Sequence, residues 1–564
     1  MKQSNGTNPV LGPFWAVVLG VVFGITFSGC AQAAPGATAP TPETFATPTP
    51  KAAVAEQPRY GGVLRIAVAE NPQAIDGHIG RGGGDHTFIR AIANHLIAAD
   101  DARRLDASNS LAHKWEILDE KTIRLYLRDN VYFHDGTKFD ASVVKWNIER
   151  VLDPKNVSPG RGSFLVIKEV VIKDPLTVEL RLTEPNAPLL YQFADRQGIM
   201  HSPPAVEKWG EDHGFKYVSG TGPFEFVEWV KDSHVTVRRN KNYWGKDDAG
   251  NQRPYLDQIR WMMLPESRVR VAALETKQVD LVDTGAFPGD FIDRVRGKPN
   301  MVFFTTKGAS MPDSRLNLDV FPMNNVNLRR AISFSVDRKA VMKAAYGELG
   351  EYIGGGPMTP SHEQYFVPAD KGGVPPIERN LTKVKEELKL GGFPDGFEWT
   401  LLISPSEVNR RVSEAIQAMQ AEAGIKMKVE SLEGLHVQRR MYADRDAASF
   451  LGSFSDRLDP DGSISEKYYC APEGSGLVSG FGSYQATRKN CPIEASRLLL
   501  EARRTYDLEK RKQLYLEFDK AFQDQVLGIG FGYLKRGIAY WDHVQGFVLG
   551  GDQKGEYYRT WLRQ

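Results

Sequence analysis

Apolar and polar side chains alternate at residues 62–68 (GVLRIAV), 122–127 (TIRLYL) and 177–182 (TVELRL), and less strictly at 235–239 and 258–263. A repeat of two places successive side chains on opposite faces of a sheet, so these segments are predicted to be strands. Apolar residues instead recur at helical spacing over 142–151, 268–276, 328–345, 407–423 and 493–525. Asp140, just ahead of the first of these, is the expected N-cap. Strands and helices are interspersed along the chain, which predicts an α/β or α+β body. Gly- and Pro-rich pieces (GGGPMTPSH, KGGVPP, GGFPDGF) predict long surface loops over 354–396. No internal repeat is visible.

One apolar run follows neither period. Residues 14–27 (FWAVVLGVVFGITF) carry no charge and lead into Ser28-Gly29-Cys30. The run is short for a membrane span and suits the core of an export signal. Small residues before a cysteine resemble the lipobox of bacterial lipoproteins, with Phe27 where leucine is usual. That resemblance implies cleavage before Cys30 and a diacylglycerol on its thiol. Residues 30–57 are almost all Ala, Pro and Thr, a composition expected to stay extended as a spacer. The folded body is expected from residue 58, outside the cytoplasmic membrane.

That body has about 500 residues, more than one core usually supports, so two or three lobes are expected. The chain is 41% hydrophobic and 25% charged, with 71 basic and 70 acidic residues. This balance gives no electrostatic grip on nucleic acid. Besides Cys30 there are only Cys470 and Cys491. In an exported chain they are expected to pair, closing a loop worth roughly 3 kcal/mol.

Catalytic and cofactor signatures are missing. There is no G-x-S-x-G elbow, Walker A loop or dinucleotide fingerprint. His362-Glu363 begins a zinc-protease motif, but residue 366 is Phe. Asp459-Pro460-Asp461-Gly462 hints at a calcium loop, yet Ile464 and Cys470 fall at its sixth and twelfth positions. The eleven histidines are scattered, and no metal-ligand spacing stands out. The expectation is a non-enzyme with no catalytic residue, cofactor or metal.

Four longer stretches carry the functional signal. Residues 111–154 read LAHKWEILDEKTIRLYLRDNVYFHDGTKFDASVVKWNIERVLDP, and residues 219–245 read SGTGPFEFVEWVKDSHVTVRRNKNYWG. Residues 255–283 read YLDQIRWMMLPESRVRVAALETKQVDLVD, and residues 328–347 read LRRAISFSVDRKAVMKAAYG. In this order they resemble the large extracytoplasmic solute-binding proteins of ABC importers, the family that includes peptide-, nickel- and opine-binding receptors. The likeness runs from about Gly61 to the C-terminus, is weakest over 350–400, and includes Asp459-Pro460-Asp461 and the helix around Arg511–Tyr515.

The resemblance implies a two-lobed periplasmic-binding-protein-like fold of type II, with an extra subdomain, mixed sheets, flanking helices and a hinge. Lobe I would be 58–285 plus 528–564, with a subdomain inserted at about 100–209; lobe II would be 286–527. The chain would cross between lobes near 284–285 and 528–532. Trp115, Trp146, Trp229, Tyr243 and Trp244 are expected to hold the fold. The implied function is a lipid-anchored, monomeric receptor that binds a small solute in the interlobe cleft and delivers it to permease subunits. An exported hydrolase, or a sensor or chaperone on the same fold, is the alternative. The segment before Asp459 contributes to the pocket in this family, so Arg457, Phe454 and Asp456, with Arg81 and Tyr484, are the candidate ligand-binding residues. Asp456 stands where peptide-binding members hold the peptide amine, whereas Arg457 resembles opine- or sugar-type members. Peptide and non-peptide solutes both stay open.

Overall fold

A computed structural model describes residues 57–79, 84–156, 158–308, 310–455, 457–470 and 490–563. Three sheets organise the body. The first has seven strands in the order Met301–Thr305, Gly537–Trp541, Leu281–Phe287, Val63–Val68, Gln258–Met263, His234–Arg239 and Phe224–Val230. Val63–Val68 lies at its centre, parallel to Gln258–Met263 and to Leu281–Phe287. The second sheet runs Gly350–Glu351, Tyr533–Leu534, Ser310–Leu316, Ser449–Ser455, Glu398–Ile403 and Lys426–Ser431, with Gly528–Gly530 also on Ser310–Leu316. The third is a four-stranded antiparallel sheet: Ala112–Asp119, Thr122–Leu127, Thr177–Leu182 and Ile167–Asp174. Each sheet has its own buried cluster, built around Leu64, Phe88 and Trp261; around Leu401, Tyr515 and Phe518; and around Leu125, Phe139 and Leu180.

The period-two segments are strands, at or within a residue of the bounds read from sequence. Asp140 caps Ala141–Leu152, accepting from the Ser142 and Val143 amides at 2.8 and 3.2 Å. Two long helical repeats are each broken in two. Residues 328–345 become Val326–Ser335 and Arg338–Tyr346, and residues 493–525 become Ile493–Arg504 and Leu508–Gln525. Asp337 and Asp507 are the cause, since each accepts a backbone N–H three residues on and starts a new helix. Segment 354–396 is more than surface loop. It holds the helix Leu381–Leu390 and buries Met358, Thr359, His362 and Tyr365. Cys470 and Cys491 are joined in a disulfide.

The chain leaves the first sheet for the second at residues 306–308 and returns over 535–536. The two passages clasp each other: Thr306 N–H donates to the Arg536 carbonyl at 2.9 Å, and Arg536 N–H donates to Thr306 Oγ1 at 3.0 Å.

Asp519 is buried beside Gly356, where a Cβ would lie 2.5 Å from the Asp519 carboxyl carbon. Burial pushes its pKa up to about 8. The folded state therefore prefers the protonated acid, so stability is fully present below the unfolded value near 4 and is lost as pH rises toward 8. Asp519→Asn is expected to melt higher than wild type at pH 8, to lose most of this advantage at pH 4, and so to flatten the pH profile of melting. An unchanged profile would mean that the carboxylate is stabilised where it lies.

Candidate functional site

Between the first two sheets lies a cavity of about 580 Å³. Its position follows from local structure. The helix His86–Ile92 sits on the first sheet, and its end is seated on Gly220 and Gly222. A Cβ on either glycine would stand 2.2–2.5 Å from Ile92 backbone atoms, so only glycine permits this approach. That seating fixes His86 and Thr87, on the first turn, in the cavity wall.

His86 Nδ1 lies 2.9 Å from Asp552 Oδ2, and its Nε2 lies 3.7 Å from Asp195. Arg90, one turn on, meets Asp552 at 3.1 Å and Glu556 at 2.5 Å. Burial holds the His86 pKa below its ordinary value against the pull of Asp552 and Asp195. Nδ1 is engaged by Asp552, whereas Nε2 is buried without an aligned hydrogen bond and faces the Asp195 carboxylate. Thr87 Oγ1 donates to Asp283 Oδ2 at 2.9 Å. The Thr87 hydroxyl is thus engaged by a carboxylate and not by an imidazole base.

Both charge signs line the space. Arg196, Arg457, Lys535, Arg536 and Lys554 supply cations, and Glu70, Asp195, Asp283 and Asp552 supply anions. Phe287, Tyr346, Leu349, Leu458 and Leu534 form the apolar part of the wall. Burial lowers the Lys554 pKa, opposed by Asp283. Burial would raise the Asp195 pKa, but Arg457 and His86 outweigh it and hold the carboxyl below its usual range. A cleft shielded from bulk water strengthens each such contact.

Arg457 lines this cavity, 39% exposed and 3.4 Å from Asp195 across the gap between sheets. Its carbonyl accepts from Arg103 at 3.0 Å and His362 at 2.9 Å, which anchors the backbone while the guanidinium reaches inward. Phe454 is in strand Ser449–Ser455, opposite Met311. Asp456, Arg81, Tyr484 and Cys30 lie outside the described residues. Asp459 and Asp461, beside the expected pocket segment, face away from solute work. Asp459 pairs with Arg511 at 2.8 Å and Asp461 with Arg503 at 3.1 Å. Trp115, Trp146, Trp229, Tyr243 and Trp244 are absent from the cavity wall, and Trp244 instead donates to Asn94 at 3.1 Å.

Sequence reading missed His86, Thr87, Asp195, Asp283, Lys535, Arg536, Asp552 and Lys554. Asp283 left one trace: it ends the apolar strand segment Leu281-Val282, where a buried acid is expensive unless it has a task. His86 and Thr87 open a short helix, and the rest sit in loops without a periodic pattern.

Residues 106–475 match the family profile of the bacterial extracellular solute-binding proteins, family 5, middle region. The chain belongs to this family. The glutathione-binding protein GsiB of Salmonella paratyphi A is 27% identical over 373 residues, covering 65% of this chain and 69% of that protein. DppA of Helicobacter pylori, solved with the peptide STSA, superposes with a TM-score of 0.73 at 24% identity, covering 90% of this chain and 99% of its own. AgaA of A. tumefaciens R10, solved with agropinic acid, gives 0.72 at 22% identity over 89% and 99%. The fold is therefore the two-lobed one of these binding proteins. Among the described residues no helix is long and apolar enough to cross a membrane.

Proposed function

We propose that this solute-binding protein captures one small dipolar solute in the 580 Å³ cavity and delivers it to the permease of an ABC importer. The cavity wall carries the reading, since cations and carboxylates from elements of both large sheets converge on one space. A solute with an ammonium and one or more carboxylates, peptide-like or opine-like, would find partners for each. The ligands of DppA and AgaA and the name of GsiB agree with that class. Arg457 would receive a carboxylate, for which its planar fork is suited. Phe454, Asp456, Arg81 and Tyr484 stay candidates for the same wall.

The proposed lobes hinge at 306–308 and 535–536, later than the crossings near 284–285 and 528–532 read from sequence. Leu281–Phe287 and Gly528–Gly530 lie within sheets, whereas the clasped Thr306–Arg536 passages join them. Solute bound to one lobe closes the other over it, and the closed form is the one the permease recognises. Addition of the solute is expected to raise the melting temperature and to shrink the radius of gyration in small-angle scattering. Tight binding with no compaction would contradict closure.

A lipid on Cys30 would keep the receptor at the membrane while residues 31–57 act as tether. Cys30→Ala is expected to shift the protein from the membrane to the soluble fraction and to abolish the acyl mass increment. Equal membrane retention, with no increment in either form, would refute the anchor.

A further inference from the structure

Away from the cleft, three loops bring histidines around one carboxylate. Asp76 follows the central strand of the first sheet, His201 follows the turn Arg196–Gly198, and His213 follows the turn Gly210–Asp212. The Ile75 amide donates to the Gly214 carbonyl at 2.8 Å, tying the first loop to the third. Arg150 enters from helix Ala141–Leu152, which packs on the four-stranded sheet. The cluster thus sits where the inserted subdomain meets the first sheet, and none of its members lines the cleft cavity.

All three ligand candidates are buried, Asp76 and His201 at 0% exposure and His213 at 1%. His201 Nε2 is 3.1 Å from Asp76 Oδ1, and His213 Nδ1 is 2.9 Å from Asp76 Oδ2. One donor atom from each residue falls within a common span of 4.8 Å. Donors about 2.0–2.2 Å from a tetrahedral ion stand roughly 3.3 Å apart, so small shifts would close the set around one ion.

The hydrogen bonding separates ligand from wall. His78 is satisfied at both nitrogens: Nε2 lies 2.9 Å from the Ile199 carbonyl, and Nδ1 accepts from Arg150 at 3.0 Å. His201 is not. Its Nε2 lies against the Asp76 carboxylate at 3.1 Å, but its Nδ1 has no partner, and neither has His213 Nε2. A buried imidazole left so is a strong exception to the rule that buried polar atoms are paired. Arg150 grips both Asp76 oxygens, donating to Oδ1 at 3.2 Å and to Oδ2 at 2.8 Å, as an outer-shell partner holds a ligating carboxylate. Because Arg150 balances Asp76, binding there would rest on imidazole coordination more than on negative charge. That favours zinc, nickel, cobalt or copper over calcium or magnesium.

We propose that Asp76, His201 and His213 form a structural site for a transition-metal ion that pins the inserted subdomain to the first lobe. Their burial means that the ion is acquired during folding and is then slow to exchange.

The test uses the untagged exported chain, unfolded with chelator and refolded with Zn²⁺, with Co²⁺ or with chelator alone. After gel filtration, zinc-refolded protein is expected to carry one ion per chain and to melt above the chelator-refolded form. Cobalt-refolded wild type should show the visible absorption of four-coordinate Co²⁺, a readout that needs no variant. His213→Gln should lose the ion, whereas His134→Gln, at a half-buried histidine outside the cluster, should keep it. Wild type refolded with Zn²⁺ that holds no ion and melts as in chelator would overturn the proposal, as would equal zinc in the His213→Gln protein.

Discussion

Asp459→Ala is expected to lower the free energy of unfolding by about 3–5 kcal/mol, the range for removing one partner of a buried ion pair. Arg511 and Asp459 are 3% and 1% exposed and meet through two parallel hydrogen bonds of 2.8 and 2.9 Å. Arg511 also donates to Tyr365 Oη at 2.6 Å, to Tyr515 Oη at 3.1 Å and to the Ala502 carbonyl at 2.9 Å. Without the carboxylate a guanidinium would be left uncompensated in the core of the second sheet's helices. The exposed pair Glu494–Arg497, at 59% and 52% exposure, is the control, and its removal should change stability by less than about 1 kcal/mol. Urea unfolding of both variants decides the matter. A loss for Asp459→Ala as small as the control's would show that the pair is not what holds this segment.

The second large effect concerns solute affinity. Arg457→Ala is expected to weaken binding of the native solute by about 1.5–3 kcal/mol, the range for hydrogen bonds to a charged group. The melting temperature of the solute-free protein should fall far less than in Asp459→Ala, because the Arg457 side chain is 39% exposed and its contact with Asp195 is long, at 3.4 Å. The competing role for Arg457 is a brace to an acid of its own loop, Asp456 or Asp459. Asp459 is committed to Arg511, and Asp456 lies outside the described residues. Calorimetry on both proteins, with melting of each apo form, separates the two. Unchanged affinity with a large loss of apo stability would make Arg457 a brace.

Strands such as Thr122–Leu127 and Thr177–Leu182 were legible because one face is apolar and buried and the other carries polar side chains, which writes a period of two into the chain. Helix ends were less so. The repeats over 328–345 and 493–525 continue across Asp337 and Asp507, and only the capping bonds show where one helix stops and another begins. Family motifs marked the architecture better than the site. Gly220 and Gly222 seat a helix, and Asp459 and Asp461 brace one lobe, whereas the charged cavity wall comes from loops and strand ends. Its residues are brought together by topology, as Asp283 and Thr87 are across 196 positions. Distance in sequence also hid the histidine cluster, in which 137 residues separate Asp76 from His213. Scattered histidines in a sequence are uninformative until the fold shows which share a space.

The central claim is that one solute occupies the cavity between the two large sheets. Native mass spectrometry of the freshly purified protein, beside an Arg457→Ala and Lys554→Ala double variant, tests it most directly. The account predicts a single discrete adduct of one small molecule per chain on wild type, released by collisional activation and absent or greatly reduced on the variant. An adduct of equal occupancy on both proteins would place the solute elsewhere and contradict the account.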